Sequence, residues 1–504
     1  MASATIDRSS IHPPALGRMR ILIRVLILTA CLIRFPSSSA SPAWEYRVTL
    51  DEQGTQMAVD AHIAAGWPME LTVDAGAEPF VRDVEVFGNN RWTRIPPRGT
   101  SWFIPLCARR GCRLRYRFDL ERAAHVLDQR RLAQWIGGAI ISTPSTWLLR
   151  PWTKKRGAAV KITIRHPKGT RLVTGIQSWK DPDAPRASDP KVYRMDTGDF
   201  YYATPYTLMG DFQLYSLRLA DANLRVAILS GELKVSTTDI LTWIARSASA
   251  ISKTFGGFPQ REALIIIMPV PGDKVSFGMA VGNGGASVIL FVGRHAGTTA
   301  LAHDWILIHE FIHCAQPSLD SNDRWFKEGV ATWLEPFIRA RAGWIGEEDA
   351  WRGLLKGFPK GQPRSRDRGL ANTHTWGRTY WGGTLFCLNA ELEIRRRSNY
   401  QKGLEDALRG IKKAGGHISE HWTLERTLAA GDNAIGMSVL STLYRKWANT
   451  PVRTDLAEIQ ETLGIHVRGR RLHFDPRAPE AVIRRRLILP FGQSTISKRA
   501  PNHR

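Results

Sequence analysis

The sequence predicts a mixed α+β chain of several domains, rich in strands in its first half and helical in its second. Three observations carry that expectation. Between residues 45 and 229, apolar and polar residues alternate in short runs punctuated by Gly, Pro, Asn and Asp, the pattern of half-buried strands. From Thr237 onward the apolar residues recur at helical spacing, as in Ile240, Ile244, Ser247 and Ile251. The 504 residues are 43% hydrophobic and include 18 Trp, enough apolar material for packed cores and too much for a largely disordered chain. The expected division is a leader over 1–40, a β-sandwich domain over 41–235, a domain carrying the chemistry over 236–400, a helical C-terminal region over 401–487 and a disordered tail over 488–504.

The leader has the order of an export signal. Arg18, Arg20 and Arg24 precede an apolar run that ends at Ile33, and Ser37, Ser38, Ser39 and Ala40 supply small residues for cleavage. This predicts a signal peptide and a periplasmic or secreted mature chain. Leu28-Thr29-Ala30-Cys31 also reads as a lipoprotein box, so anchoring through Cys31 is the alternative. The apolar run is too short and too interrupted to cross a bilayer. After it come strand-like runs at 46–50, 57–63, 113–118 and 160–164, with turn clusters at 87–90 and 181–185. Cys107 and Cys112 flank a turn-like insert and could pair in an oxidising compartment. Residues 264–268 and 286–292 are apolar strands, and nearly everything beyond them is helical.

Charge bears on partners. Against 46 acidic residues stand 70 basic ones, a net charge of +24, and losing the leader's five Arg and one Asp leaves +20. Such a balance favours an anionic membrane surface or a cell-wall polymer as a partner. Nucleic acid is disfavoured, because Arg is spread along the whole chain and no basic stretch is interleaved with aromatics.

The most informative segment is Ile308-His309-Glu310-Phe311-Ile312-His313. Histidines four apart share a helix face, so both imidazoles can reach one metal ion while Glu310 sits beside it. A catalytic zinc takes three protein ligands and keeps a position open. The third donor is Glu328, fourteen intervening residues beyond His313, in Trp325-Phe326-Lys327-Glu328-Gly329-Val330-Ala331. If His309 and His313 were ordinary core residues, the adjacent Glu and the acidic helix would be coincidences. One Zn2+ per chain is expected. Cys314 is expected to be a buried packing residue.

These segments resemble the gluzincin metallopeptidases, specifically the glycyl aminopeptidase and aminopeptidase N-like groups. His309-Glu310-Phe311-Ile312-His313 with Glu328-Gly329-Val330-Ala331 is similar to the paired zinc helices. Thr379-Tyr380-Trp381-Gly382-Gly383 resembles the Tyr-x-Lys-Gly helix, whose Tyr hydroxyl stabilises the tetrahedral intermediate. Phe277-Gly278-Met279-Ala280 lies where the family has a Gly-rich substrate-binding strand, and the stretch from Leu463 to Pro476 resembles the tail of the glycyl aminopeptidase group. The resemblance covers residues 45–487 and implies a thermolysin-like catalytic domain. It further implies a peptide or protein substrate, metal ligands His309, His313 and Glu328, a general base Glu310, a transition-state donor Tyr380, and substrate contacts at Gly278, Met279 and Ala280. His374 is a further candidate donor. Asp304, Thr332 and Glu335 are candidates for holding the ligating imidazoles.

Three departures from the family pattern stand out. The spacer between His313 and Glu328 is short, Gly382 replaces the Lys, and the Gly-rich strand lacks its acidic residue. The expected activity is therefore metal-assisted hydrolysis of a peptide bond, with no exopeptidase specificity implied. Two rivals are a zinc amidase acting on cell-wall peptides and a non-catalytic scaffold binding an anionic polymer.

Overall fold

Alternating side chains give the first half a sheet with one buried and one wet face. Trp44–Leu50, Gln56–Ile63 and Cys112–Asp119 are buried at every second residue, which a period of two imposes when one face is covered. In the computed structural model, which describes residues 41–179 and 191–493, they join an eight-stranded sheet. Its order is Gln177–Ser178, Lys191–Asp196, Ala159–Arg165, Trp44–Leu50, Gln56–Ile63, Cys112–Asp119, Val81–Gly88 and Arg91–Arg94. Only Trp44–Leu50 and Ala159–Arg165 run parallel. Cys107 and Cys112 are disulfide-bonded at its margin. The leader with Cys31, the 181–185 turn cluster and the chain beyond Gln493 lie outside the described residues.

A four-stranded sheet, Arg171–Thr174, Thr207–Gly210, Ala139–Ser142 and Ala133–Ile136, covers the buried face of the first. It is apolar on both sides. Ile140, Leu172 and Met209 belong to the core shared with the eight-stranded sheet, and Ile141, Val173 and Leu208 pack with Ala227, Leu264, Ile266 and Ile289. Those last residues come from a five-stranded sheet ordered Phe212–Arg218, Asn223–Leu229, Glu262–Val270, Ser287–Gly293 and Val275–Val281. Its far face, including Val226, Ile265, Ile267, Val288 and Leu290, is covered by helices.

The five-stranded sheet spans the boundary expected at residue 235. Asn223 faces Glu262 and Ile228 faces Ile267 in a parallel ladder, so the last two strands before that residue, Phe212–Arg218 and Asn223–Leu229, share a sheet with strands that follow it. Alternation reports which face of a strand is buried, not which sheet it joins. The expected helical C-terminal region contains five helices, Leu404–Lys413, Leu424–Ile435, Leu440–Trp447, Leu456–Leu463 and Ala481–Leu487, together with one hairpin, Ile465–Arg468 with Arg471–Phe474. The tail expected to be disordered from 488 is ordered through 493, where Phe491 lies 4.4 Å below the Arg341 guanidinium.

Two contacts fix the helices that follow the five-stranded sheet. Residues 418–422 thread past the end of the helix Ile306–Cys314: Asn283 N–H donates to the Ile418 carbonyl and Gly284 N–H to that of Ser419, both at 3.0 Å, and Ser318 N–H donates to Glu420 at 2.8 Å. The helices Arg324–Arg341 and Gly383–Arg397 meet backbone to backbone. A Cβ on Gly329 would lie 2.3 Å from the Gly383 carbonyl carbon, and one on Gly383 would lie 2.1 Å from the Trp325 oxygen. Gly383→Ala should therefore destabilise the fold by about 1–3 kcal/mol in urea unfolding. Gly353→Ala, in a helix where a Cβ meets nothing within 4 Å, should instead be stabilising by about 0.5–1 kcal/mol; equal effects would show that the close crossing does not limit stability.

Candidate metal centre

All nine residues of the helix Ile306–Cys314 are buried. Its N-terminus is capped by Asp304, whose carboxylate oxygens accept from the backbone N–H of Ile306 and of Leu307, each at 3.0 Å. Burial pushes this carboxyl up to about 6 against the pull of those two hydrogen bonds. Along the helix, the i, i+4 spacing sets the His309 and His313 rings edge to face, 4.9 Å apart. Glu328 enters from the second helix, Arg324–Arg341.

The three side chains converge. Glu328 Oε2 lies 3.3 Å from His309 Nε2 and 3.4 Å from His313 Nε2, and among the described residues they form a group able to hold a metal ion. These separations are long for N–H···O hydrogen bonds, which cluster near 2.9 Å. They match the edge of a tetrahedron, about 3.3 Å, for donors about 2.0–2.1 Å from a zinc ion. Burial would raise the Glu328 carboxyl, but the two imidazoles hold it far below the usual carboxylate range, while burial lowers the proton affinity of His313. A zinc site requires an ionised carboxylate and deprotonated imidazoles: burial works against the charged form of both rings, and in His309 the Glu328 carboxylate outweighs it and raises the proton affinity. The residues fit the metal.

Glu310 is held from the side of the Gly-rich strand. Its Oε2 accepts from the Ala280 backbone N–H at 2.7 Å. That strand, Val275–Val281, is the edge of the five-stranded sheet. It can come this close because position 278 is glycine: a Cβ there would lie 2.4 Å from Ile306 Cγ2 and 2.7 Å from Glu310 Cγ. Met279 receives only a weak contact, from Arg131 Nη2 to its sulfur at 3.9 Å.

Tyr380 sits in a π-helical turn, Gly377–Gly382, that leads into Gly383–Arg397. Such turns recur where a helix must re-aim a side chain. The turn is anchored by a buried ion pair between Arg378 and Asp367, N to O 2.7 Å, and by the Trp381 indole, whose ring atoms occupy the space a Cβ on Gly357 would need. The Tyr380 hydroxyl accepts from Arg324 Nη2 at 3.0 Å, and Arg324 Nε donates to Glu328 Oε1 at 3.0 Å. Burial, followed by the Glu328 charge, pushes the phenol above its ordinary value.

The remaining candidates fall less close to the chemistry. His374 is exposed and makes no side-chain hydrogen bond with the described residues. Asp304 caps the helix and does not hold an imidazole. Glu335 pairs with Arg339 at 2.8 Å. The His313 Nδ1 is buried without a partner. Cys314 is buried, and burial pushes its thiol up to about 12, which keeps it protonated. Two neighbours were not anticipated from sequence. Arg324 was readable from its i, i+4 spacing to Glu328. Lys327 forms no side-chain hydrogen bond or ion pair with the described residues; burial lowers its pKa while Glu328 and Glu310 oppose that.

The fold resembles solved zinc metallopeptidases. An aminopeptidase N family protein from Idiomarina loihiensis superposes with a TM-score of 0.60 at 14% identity, over 84% of this chain and 79% of that one. An M1 zinc metallopeptidase from Deinococcus radiodurans gives 0.51 at 16% identity, over 82% of this chain and 94% of its own. A variant of a Deinococcus radiodurans M1 zinc metallopeptidase, bound to a Tyr-Ser-Ala substrate, gives 0.50 at 15% identity with coverages of 82% and 94%. No family model and no curated protein matches the sequence. At these identities the likeness is one of fold.

The contact between the edge strand and the first helix can be tested without any activity. Gly278→Val should drive the strand off Ile306 and break the Ala280 to Glu310 hydrogen bond. The Ala280 amide should then lose hydrogen-exchange protection relative to the unaltered protein; unchanged protection would show that the strand is held by other contacts.

Proposed function

We propose that this chain is a zinc-dependent peptidase with a thermolysin-like, gluzincin arrangement of helices over 236–400. The observation that carries the reading is the convergence of His309 Nε2, His313 Nε2 and Glu328 Oε2, with both oxygen-to-nitrogen separations at the tetrahedral edge length and Glu310 and Tyr380 on the flanks. His309, His313 and Glu328 would hold one Zn2+, which supplies Lewis acidity and makes water a nucleophile near neutral pH. The Ala280 N–H fixes Glu310 Oε2, which leaves Oε1 to take the proton of the attacking water and return it to the leaving amine. The Tyr380 hydroxyl accepts from Arg324 through one lone pair and keeps its proton for the oxyanion of the tetrahedral intermediate, a contribution of about 3 kcal/mol.

The likeness to a metallopeptidase that holds Tyr-Ser-Ala supports a peptide as substrate. The edge strand supports an extended backbone, because one side of Val275–Val281 has no strand partner among the described residues. It carries no carboxylate to neutralise a substrate ammonium, so the reading is of cleavage that tolerates a blocked N-terminus. Export is supported by the leader and by the Cys107–Cys112 disulfide, a bond that persists in oxidising compartments. The excess of basic residues supports an anionic membrane surface or cell-wall polymer as a secondary contact.

The purified mature protein should bind one zinc per chain by metal analysis and lose it when His309 and His313 are both changed to Ala; retained stoichiometry would remove the site. Glu310→Gln should keep the zinc and lose about 10³-fold or more in turnover, and retained turnover would remove the base. One peptide assayed with a free and with an acetylated N-terminus should be cut in both forms. Loss of cleavage on acetylation, with stepwise trimming of the free peptide, would place an ammonium anchor elsewhere in the cleft. Activity confined to cell-wall peptides would favour the amidase.

A further inference from the structure

We infer that Arg324 is a positioning residue of this centre, fixing which oxygen of Glu328 faces the two imidazoles and which way the Tyr380 hydroxyl proton points. The inference deepens the peptidase reading and rests on it. Arg324 lies one helical turn before Glu328, while Tyr380 arrives from a separate element 56 residues away. The guanidinium spans both: Nε donates to Glu328 Oε1 and Nη2 to the Tyr380 oxygen, each at 3.0 Å.

Arginine only donates, and both consequences follow from that. The Arg324 N–H holds Glu328 Oε1 on the guanidinium side, which turns Oε2 towards His309 and His313, at 3.3 and 3.4 Å. The Tyr380 oxygen accepts from Arg324, so its single proton must point away from the guanidinium. A planar fork makes both contacts at once, which a point-charge ammonium cannot do with the same geometry. The Arg324 side chain is 62% exposed and that of Glu328 11%, so the guanidinium compensates a buried carboxylate from the solvent side. Charge compensation needs only a cation beside Glu328; the second contact, to the Tyr380 oxygen, is what orientation of two functional side chains explains.

The test uses the full mature chain as unaltered protein, Arg324→Gln, Arg324→Lys, Tyr380→Phe and the Arg324→Gln/Tyr380→Phe double variant. Zinc affinity is measured by competition with a chromogenic chelator on metal-stripped protein, and folding by circular dichroism. Arg324→Gln should bind zinc about 10–100-fold more weakly, with Arg324→Lys between it and the unaltered protein. At saturating zinc, Arg324→Gln should lower kcat by about tenfold or more with KM little changed. In the Tyr380→Phe background the same change should cause much less further loss, because its route to the oxyanion is already gone.

Equal zinc affinity in folded variants, or the same fractional loss of kcat in both backgrounds, would overturn the role of Arg324 and leave the peptidase reading intact. If Arg324→Gln does not fold, Arg324→Lys decides by the same two measures, since losing the fork should weaken zinc binding and kcat even with the charge retained. If the unaltered protein binds no zinc, the site reading falls and this inference falls with it. If it binds zinc but cuts no peptide, the affinity series decides alone.

Discussion

Glu328 places a negative charge where the residue is only 8% exposed, and a buried charge is tolerated only when other groups compensate it. The compensation comes from different directions: two imidazoles face one oxygen, and the Arg324 guanidinium donates to the other. Each partner needs its own support. His309 and His313 need a helix whose N-terminus is satisfied by Asp304. Glu328 and Tyr380 need two helices to approach closely enough that Gly329 and Gly383 touch without side chains. Glu310 needs a sheet edge brought against the helix through Gly278. The geometry around one carboxylate thus sets the positions of three helices and a strand.

The sheets serve that requirement from behind. The Glu262–Val270 strand is buried on both faces, between the four-stranded sheet and the helices, and it reads as a continuous apolar run for that reason. A strand enclosed in this way is a rigid reference for Ser287–Gly293 beside it and for the edge strand beyond. On the other side, residues 418–422 hydrogen-bond both to the turn after the edge strand and to the loop between the two site helices. A segment distant in sequence thereby ties the strand whose Ala280 N–H holds Glu310 to the loop joining the helices of Glu310 and Glu328. The C-terminal region is part of the frame of the site and not an appendage to it.

Legibility in the sequence followed the range of the interactions. His309, Glu310 and His313 are linked by i, i+1 and i+4 relations, so one helix places them together whatever surrounds it. The alternation of 46–50, 57–63 and 113–118 named the buried face of each strand correctly, because that depends only on the pleat. Arg324 and Glu328 are also an i, i+4 pair, and their contact could have been read in the same way. The hydrogen bond from Ala280 to Glu310 could not, since it joins residues 30 apart through the packing of a strand on a helix. Nor could the π-helical turn at Tyr380, which depends on Asp367 and Gly357 accepting Arg378 and Trp381.

The assignment of strands to sheets shows the same division. The strand-like pattern ran through 229, but the place of its end in the five-stranded sheet was not visible, because the parallel ladder of Asn223–Leu229 with Glu262–Val270 is a choice among partners equally apolar in sequence. By itself the sequence determined the local chemistry: the helix face that carries two imidazoles, the acid on the next helix, the glycines and the apolar periods. Only the tertiary structure decided which atoms of those residues meet. The backbone contact of Gly329 with Gly383, the Ala280 hydrogen bond and the bridge from Arg324 to Tyr380 are each set by angles between separate elements, and no spacing within one element encodes such an angle.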